Sequence, residues 1–250
     1  MDGKLKIAVI GGGAAGFFAA INVKEQNPTY EVTILEKSNK LLSKVKVSGG
    51  GRCNVTNEIF DTIPLSKKYP RGENFLKKAF GVFNSKDTLD WFSERGVPLE
   101  IISDGCVFPK SNSSQSIIDC FLLNSKKLGI EILIKNPVDS IIKFENGFHL
   151  KSVDETLYFD KVIVTIGGQP KKAGLNWLED LGHEIIEPLP SLFTFNMPNN
   201  PICKLMGNVV EKATVKIEST KLISDGPLLV THWGMSGPAI LKLSAWGARI

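Results

Sequence analysis

The hydrophobic pattern at the start of the chain predicts a buried strand followed by a helix. A continuous apolar run at Leu5–Ile10 is rich in Ile and Val, as expected for a strand that is buried on both faces. It is followed by Gly11, Gly13 and Gly16 in the spacing G-x-G-x-x-G, and then by an alanine- and phenylalanine-rich stretch that suits a helix. A second strand, in the stretch YEVTILEK, ends at Glu36, about 20 residues after the last of these glycines.

This order of strand, glycines and helix is the context in which the G-x-G-x-x-G spacing indicates a dinucleotide site. The glycines permit a tight turn, a close approach of the backbone to a pyrophosphate, and close packing of the helix on the strand. The start of the helix stabilises a nearby negative charge, and a carboxylate at the position of Glu36 accepts a hydrogen bond from a ribose 2′-hydroxyl. The N-terminal part of the chain therefore predicts a site for a cofactor that contains ADP.

A second group of strands follows a helical region and indicates which cofactor this is. Residues Ile130–Ile134 form another apolar run, and the strand in KVIVTIGG ends at Thr165, Gly167 and Gly168. Between them the pattern predicts a three-stranded meander with a hairpin turn at Asn146-Gly147, formed by Val138–Phe144, Phe148–Val153 and Leu157–Phe159. An NAD dehydrogenase would instead continue with alternating strands and helices. The meander followed by a Thr-x-Gly-Gly strand is typical of flavoproteins with two dinucleotide-binding domains.

Composition narrows the class of protein. With 250 residues, 42% hydrophobic and 22% charged, the chain suits one large globular domain or two modest ones. We find no signal-peptide pattern and no run of ~20 apolar residues, so we expect a cytoplasmic protein without a membrane partner. The net charge is only +4, and four of the 30 basic residues are arginine, so we expect no nucleic-acid partner.

The cysteines predict neither a metal site nor a disulfide framework. Cys53, Cys106, Cys120 and Cys203 are scattered, without C-x-x-C spacing and without a cluster of histidines. We therefore expect no bound metal.

One glycine-rich segment has an unusual charge. No acidic residue occurs between Glu36 and Glu58, while several lysines and Arg52 do, so the segment favours an anion. It contains the string SGGGRCN, and three consecutive glycines cost more backbone entropy on folding than any other residues would.

With these motifs the chain resembles the BaiN/YhiN-like family of NAD(P)/FAD-dependent oxidoreductases. The resemblance spans the whole chain and is carried by IAVIGGGAAGFFAA, LLSKVKVSGGGRCNVTN, VFPKS, LGHEIIEPLPSLFTF and LLVTHWGMSGPAILKLS. It implies an α/β fold with a doubly wound, Rossmann-like FAD-binding domain over residues 1–190, which includes the β-meander. An inserted β-rich domain would begin at residue 191 and, since members of the family are longer, would be incomplete at residue 250.

The resemblance also implies the cofactor site. The glycine-rich segment would run beneath FAD, where side chains would collide with the cofactor and backbone amides would donate to it. The residues implied as cofactor-binding are Gly11, Gly13, Ala14, Ala15, Gly16, Glu36, Lys37, Lys44, Ser48, Gly49, Gly50, Gly51, Arg52, Cys53, Asn54, Val138, Thr165, Gly167 and Gly168. Lys44 and Arg52 would offset phosphate charge, Asn54 would reach the polar edge of the flavin, and Cys53 is expected to be a packed small residue.

No catalytic residue is assigned. His232 and Ser236 lie in a glycine-punctuated stretch that we expect to be a loop, where a structural role is favoured for the histidine. His183 follows a predicted helix end, and His149 is expected to be exposed on a meander strand.

The resemblance implies a small organic substrate, with a conjugated enone as the first choice, and NAD(P)H as the electron partner. The oligomeric state is left open. The alternatives are a non-catalytic dinucleotide-binding module, an FAD-dependent RNA-modifying enzyme and a Rossmann methyltransferase; the methyltransferase is disfavoured because its cofactor has no pyrophosphate for the basic glycine-rich segment to bind.

Overall fold

A computed structural model describes residues 4–152 and 155–250 of the chain. Its strands are β1 Lys6–Ile10, β2 Glu31–Glu36, β3 Thr56–Asn57, β4 Leu99–Ile101, β5 Cys106–Pro109, β6 Glu131–Ile134, β7 Ser140–Phe144, β8 Gly147–Lys151, β9 Thr156–Phe159, β10 Lys161–Val164, β11 Phe195–Asn196, β12 Val209–Lys216, β13 Ile223–Thr231 and β14 Gly234–Ser236. Its helices are α1 Ala14–Gln26, α2 Ser43–Val47, α3 Thr62–Ser66, α4 Glu73–Phe80, α5 Ser85–Glu94, α6 Gln115–Lys127, α7 Asn176–Glu179 and α8 Pro238–Gly247. Among the described residues, no helix combines the length and the apolar character needed to cross a membrane.

The chain divides into two compact units. Unit 1 comprises the chain up to Gln169 together with Ala173–Ile185, and unit 2 comprises Pro170–Lys172 together with Ile186–Ile250. The domain boundary at residue 190, taken from the sequence, stays a prediction.

Unit 1 is built on a parallel sheet with the strand order β10-β1-β2-β6. Because side chains alternate across a strand, Ile7 and Val9 of β1 lie on one face, where they belong to a core shared with α1 and α6. Phe17 of α1 and Phe121 of α6 meet in that core, with ring centroids 5.9 Å apart.

The other face of the sheet is covered by the antiparallel meander β7-β8-β9. Ala8 and Ile10 of β1 form a second core there with Ile141, Leu150 and Phe159 of the meander. The predicted Rossmann-type α/β fold is confirmed, with the meander in place of a second helical layer. The three predicted meander strands are present: β7 begins two residues later than predicted, and β8 and β9 each begin one residue earlier. The predicted end of the second strand, Val153, lies outside the described residues.

Between α2 and α6 the chain makes an excursion that contains a small sheet, in the order β3-β5-β4, and helices α3 to α5. Helix α5 begins at a capping box: the Asn84 side chain accepts from the Asp87 backbone N–H, and the Asp87 carboxylate accepts from the Asn84 N–H. Trp91 and Phe92 are buried and anchor this helix in the core.

Unit 2 consists of the antiparallel sheet β11-β14-β13-β12 and helix α8, with Leu228, Val230 and Ile240 in its core. The prediction of a loop was wrong for Ser236, which lies in a strand, whereas His232 does lie in a turn. Strands β13 and β14 form a tight hairpin that places His232 at the turn and Ser236 in β14, opposite Leu229. The hairpin forms because the apolar stretch before the turn pairs directly with the residues after it.

Candidate cofactor-binding site

The carboxyl ends of β1 and β2 are tied together at the glycine turn. The backbone N–H of Gly11 donates to the carbonyl oxygen of Leu35 at 2.8 Å. The N–H of Gly12 donates to Oε2 of Glu36 at 2.8 Å, and the N–H of Ser38 donates to Oε1 of the same carboxylate, also at 2.8 Å. Both carboxylate oxygens are thus held in fixed positions at this edge of the sheet.

The Glu36 carboxylate is kept ionised by these contacts. Partial burial by itself raises the pKa of Glu36, but the hydrogen bonds from Ser38 and Gly12 and the charge of Lys37 outweigh it, so that the pKa lies below its usual value. A carboxylate oxygen has lone pairs for more than one donor, so each oxygen can still accept a hydrogen bond from a hydroxyl group.

Two of the fingerprint glycines are required by their neighbours. At Gly11, whose φ is +115°, a Cβ atom would lie 2.6 Å from the carbonyl oxygen of Thr165, and at Gly16 it would overlap the carbonyl oxygen of Gly11. The Thr165 hydroxyl fixes this turn further, since it donates to Ile10 O at 2.9 Å and to Gly11 O at 3.1 Å. At Gly13, by contrast, a Cβ atom would meet nothing within 4 Å, so this position is open for a ligand to approach.

No acidic side chain neutralises the positive end of the α1 helix dipole, and Lys44 lines the same cavity as the first residues of this helix. Gly13 is the N-cap and forms no side-chain capping hydrogen bond, and the first turn of α1 carries no acidic residue. Ala14 and Ala15, which begin the helix, are exposed. The Lys44 ammonium lies 3.6 Å from the position of a Cβ atom built on Gly167, in the loop that follows β10.

The triple glycine forms a short 3-10 turn, Ser48–Gly51, in which the φ values of Gly49, Gly50 and Gly51 are +55°, +70° and +87°. A Cβ atom on Gly49 would lie 2.7 Å from the backbone nitrogen of Asn54. Cβ atoms on Gly50 and Gly51 would meet nothing within 4 Å. The left-handed backbone and the close approach at Gly49 account for these glycines locally, and the open side at the other two leaves room for a ligand.

The side chains that follow the glycines differ in their surroundings. Arg52 stacks its guanidinium 4.2 Å from the centroid of the Phe108 ring and donates from Nε to Gly49 O at 3.3 Å. Cys53 is buried; burial raises the pKa of its thiol, and a hydrogen bond with Ser48 only partly offsets this. The thiol is therefore neutral near pH 7, in line with its predicted role as a packed small residue.

Two cavities in unit 1 are lined by residues on the predicted list. The larger, about 460 Å³, includes Ala14, Ala15, Lys44, Ser48, Cys53 and Asn54. The smaller, about 170 Å³, includes Gly11, Glu36, Lys37 and Val138. The structure thus brings most of the predicted residues to one edge of the sheet, on either side of the start of α1. Gly168 lies beyond the end of β10, where a Cβ atom would meet nothing within 4 Å.

Sequence reasoning missed several of the residues that line these cavities. The larger cavity is also lined by the aromatic residues Phe18, Phe83, Trp91, Phe92 and Phe121. The smaller one is also lined by Asn136, Gln169 and Trp177. An aromatic residue on an amphipathic helix gives the same pattern whether it fills a core or lines a cavity, so that pattern carried no signal.

Neither of the histidines of unit 1, His149 and His183, lines either cavity. His149 was expected to be exposed but is half-buried, because its ring lies between those of Phe144 and Tyr158, at centroid distances of 4.3 Å and 5.7 Å. His183 and His232 are exposed. Among the described residues, no group of His, Cys, Asp and Glu side chains is arranged to hold a metal ion.

These features fit a dinucleotide. The fixed carboxylate offers acceptors for ribose hydroxyls, and the uncapped helix start together with Lys44 offers donors and positive charge for a pyrophosphate. The open positions at Gly13, Gly50 and Gly51 offer the close approach that such a ligand needs.

Comparison with known proteins identifies the family. Residues 5–240 match the family described as HI0933-like protein Rossmann domain, and the chain belongs to this FAD-binding family. The predicted family and the predicted cofactor, FAD, are therefore confirmed.

The chain is similar to a 3-dehydro-bile acid delta(4,6)-reductase of Clostridium scindens, with 24% identity over 96% of this chain and 59% of the relative. It is also similar to a ribosomal RNA dihydrouridine synthase of Escherichia coli, with 26% identity over 95% of this chain and 60% of the relative. The chain thus spans about 60% of the length of these curated relatives. In fold it is similar to a solved structure of E. coli quinol fumarate reductase FrdA, with a TM-score of 0.54, 14% identity, and coverage of 88% of this chain and 44% of that one.

Proposed function

We propose that the chain is the FAD-binding part of an oxidoreductase that reduces a carbon–carbon double bond conjugated with a carbonyl group, with NAD(P)H as the electron donor. The observation that carries this proposal is the position of the fixed Glu36 carboxylate beside the glycine turn and the start of α1. Bound FAD supplies the two-electron chemistry, and the protein supplies position and electrostatics.

Several of the predicted site residues have separate tasks in this proposal. Glu36 accepts from the ribose hydroxyls, and the N–H groups at the start of α1 donate to the pyrophosphate, whose charge Lys44 offsets. The backbone of Gly49–Gly51 lies close to the flavin half of the cofactor, and Asn54 reaches its polar edge. Cys53 has a neutral, buried thiol and takes no part in electron transfer.

The substrate class rests on what the names of the two relatives have in common. The first specifies reduction of double bonds in a bile acid with a ketone at position 3, and the second specifies formation of dihydrouridine in ribosomal RNA. In both cases the double bond that is reduced is conjugated with a carbonyl group. Overall, one hydride and one proton add across the double bond while NAD(P)H becomes NAD(P)⁺.

A small organic enone is the first candidate substrate, because the lining of the larger cavity is mostly apolar and includes five aromatic residues. A uracil base in RNA is the second candidate. It is favoured by the two relatives named ribosomal RNA dihydrouridine synthase, which are 26% and 27% identical to this chain. The small number of arginines favours the first candidate.

The test begins with the visible absorption spectrum of the purified chain and chromatography of the flavin that boiling releases. About one equivalent of FAD is expected. In cofactor-stripped protein, FAD at a hundredfold excess over Kd should raise the free energy of unfolding by ~2.7 kcal/mol. Oxidation of NADH and NADPH is then followed with 2-cyclohexenone, with cyclohexanone as the saturated control, and with uridine-containing ribosomal RNA.

Each outcome has a distinct meaning. Oxidation that depends on cyclohexenone and not on cyclohexanone supports the enone proposal, and formation of dihydrouridine supports the RNA candidate. A chain that binds FAD but oxidises neither NADH nor NADPH with either acceptor is a flavin-binding module without catalysis. A chain that stays colourless and ignores added FAD overturns the proposal.

A further inference from the structure

We propose that Trp177 forms a stacking wall for the adenine base of the bound dinucleotide, in the smaller cavity beside Glu36. This inference rests on the FAD-binding role proposed above and assigns to Trp177 a part that the sequence motifs do not include. It concerns cofactor affinity and choice, so it is testable without turnover.

The smaller cavity has the size of one ring system. Its volume is about 170 Å³, below the ~300–1,000 Å³ that is usual for a pocket that holds a whole ligand. Glu36 is part of its lining, so a ribose at that carboxylate directs its attached base into this space. The lining is otherwise mostly apolar, and Ile10, Leu35 and Ile166 contribute to it.

Trp177 is held in position from two sides. It packs against the second core of unit 1, which joins β1 and β2 to the meander. Its indole Nε1–H donates to the carbonyl oxygen of Gly174 at 3.2 Å. Because this bond occupies the polar atom of the indole, the ring offers the cavity an aromatic surface and no hydrogen-bond donor.

The groups that would recognise the edge of the base lie around this ring. The backbone N–H and C=O of Val138 form no hydrogen bond with other residues in the described ranges, and Val138 lines the cavity. Gln169 lies close by: a Cβ atom built on Gly174 would come within 3.0 Å of its Oε1. An aromatic wall, the backbone of Val138 and a side-chain amide together suit adenine, which has a π face and both donor and acceptor atoms on its edge.

The experiment measures the Kd values of FAD, ADP and FMN for the cofactor-stripped wild-type chain, for Trp177→Ala and for Trp177→Phe. Stacking of a base on an aromatic side chain is lost on alanine substitution, which raises Kd about 5- to 150-fold. We expect this rise for FAD and ADP with Trp177→Ala, a smaller one with Trp177→Phe, and no change for FMN, which lacks adenine. Trp246→Ala is the matched control, since Trp246 lies in unit 2 and is 48% exposed.

Tryptophan fluorescence gives a second readout that does not require the alanine variant to fold. ADP should quench the emission of the wild-type chain and should lose most of this effect in Trp177→Phe at saturating ADP. Unchanged Kd values for FAD and ADP in both Trp177 variants, or equal quenching in Trp177→Phe, would overturn the role of Trp177 and leave the FAD-binding function intact. A wild-type chain that binds neither FAD nor ADP would overturn both.

Discussion

Replacement of Glu36 by glutamine tests the central contact of the proposed site. The substitution keeps the size of the side chain but removes its charge, and it leaves one oxygen to serve the two backbone donors of Gly12 and Ser38. A hydrogen bond to a charged group is worth ~1.5–3 kcal/mol, so loss of the bond to a ribose hydroxyl should raise the Kd of FAD about 10- to 150-fold. Because the side chain is only half-buried, the free energy of unfolding of the FAD-free chain should fall by only ~1 kcal/mol.

Titration calorimetry with FAD and urea unfolding measure these two effects. Glu31→Gln is the matched control, since Glu31 begins the same strand at the opposite end and is exposed. It should bind FAD as the wild-type chain does. Equal FAD affinity for Glu36→Gln and Glu31→Gln would refute the assignment of Glu36 to the cofactor site.

The same pair of proteins predicts a dependence of stability on pH. Folding lowers the pKa of Glu36, because its hydrogen bonds and Lys37 outweigh the effect of burial. The stabilisation is therefore fully present above the pKa of the unfolded state and is lost as the pH falls through the lower pKa of the folded state. The difference in unfolding free energy between wild type and Glu36→Gln should shrink on acidification. A difference that stays constant from neutral to acidic pH would contradict this reasoning.

Four further substitutions separate the tasks of neighbouring residues. Gly16→Ala should lower the free energy of unfolding by ~1–3 kcal/mol in urea titrations, since its Cβ would overlap a backbone carbonyl oxygen. Gly13→Ala should have the unfolding free energy of the wild type but bind FAD more weakly. Equal stability of the two variants would be evidence against this assignment. Lys44→Gln should raise the Kd of FAD and reduce its salt dependence relative to the exposed control Lys40→Gln, and an unchanged salt dependence would argue against a phosphate contact. Asn54→Ala should raise the Kd of FAD but not that of ADP in the same titration, because Asn54 lines only the larger cavity. An equal rise in the Kd of both ligands would contradict this.

The parts of the fold that the sequence predicts well are those fixed by local patterns. The strand at Lys6–Ile10, the glycine turn and helix α1 follow from an apolar run, required glycines and a helical stretch that lie next to one another. The capping box at Asn84 likewise fixes the start of α5 within three residues. Trp177 carries no such signal, because it lies in the short helix α7 after β10 and reaches the smaller cavity only through packing on the second core of unit 1. The half-burial of His149 depends in the same way on rings from neighbouring strands.

The arrangement of the two cavities explains why one edge of the sheet carries both a fixed carboxylate and a glycine-rich turn. Gly11 lines the smaller cavity, and Ala14 and Ala15, one helical turn further on, line the larger one. A dinucleotide that places its pyrophosphate at the start of α1 therefore has a small ring pocket on one side and a large apolar space on the other. The side with Glu36 is rigid, since the carboxylate and the turn hold each other in place through backbone hydrogen bonds. The side with Gly49–Gly51 is built from residues whose left-handed backbone leaves no side chain in the way. We therefore expect the Glu36 side to recognise the ADP half of the cofactor and the Gly49–Gly51 side to admit the flavin half, with β1 and α1 between them.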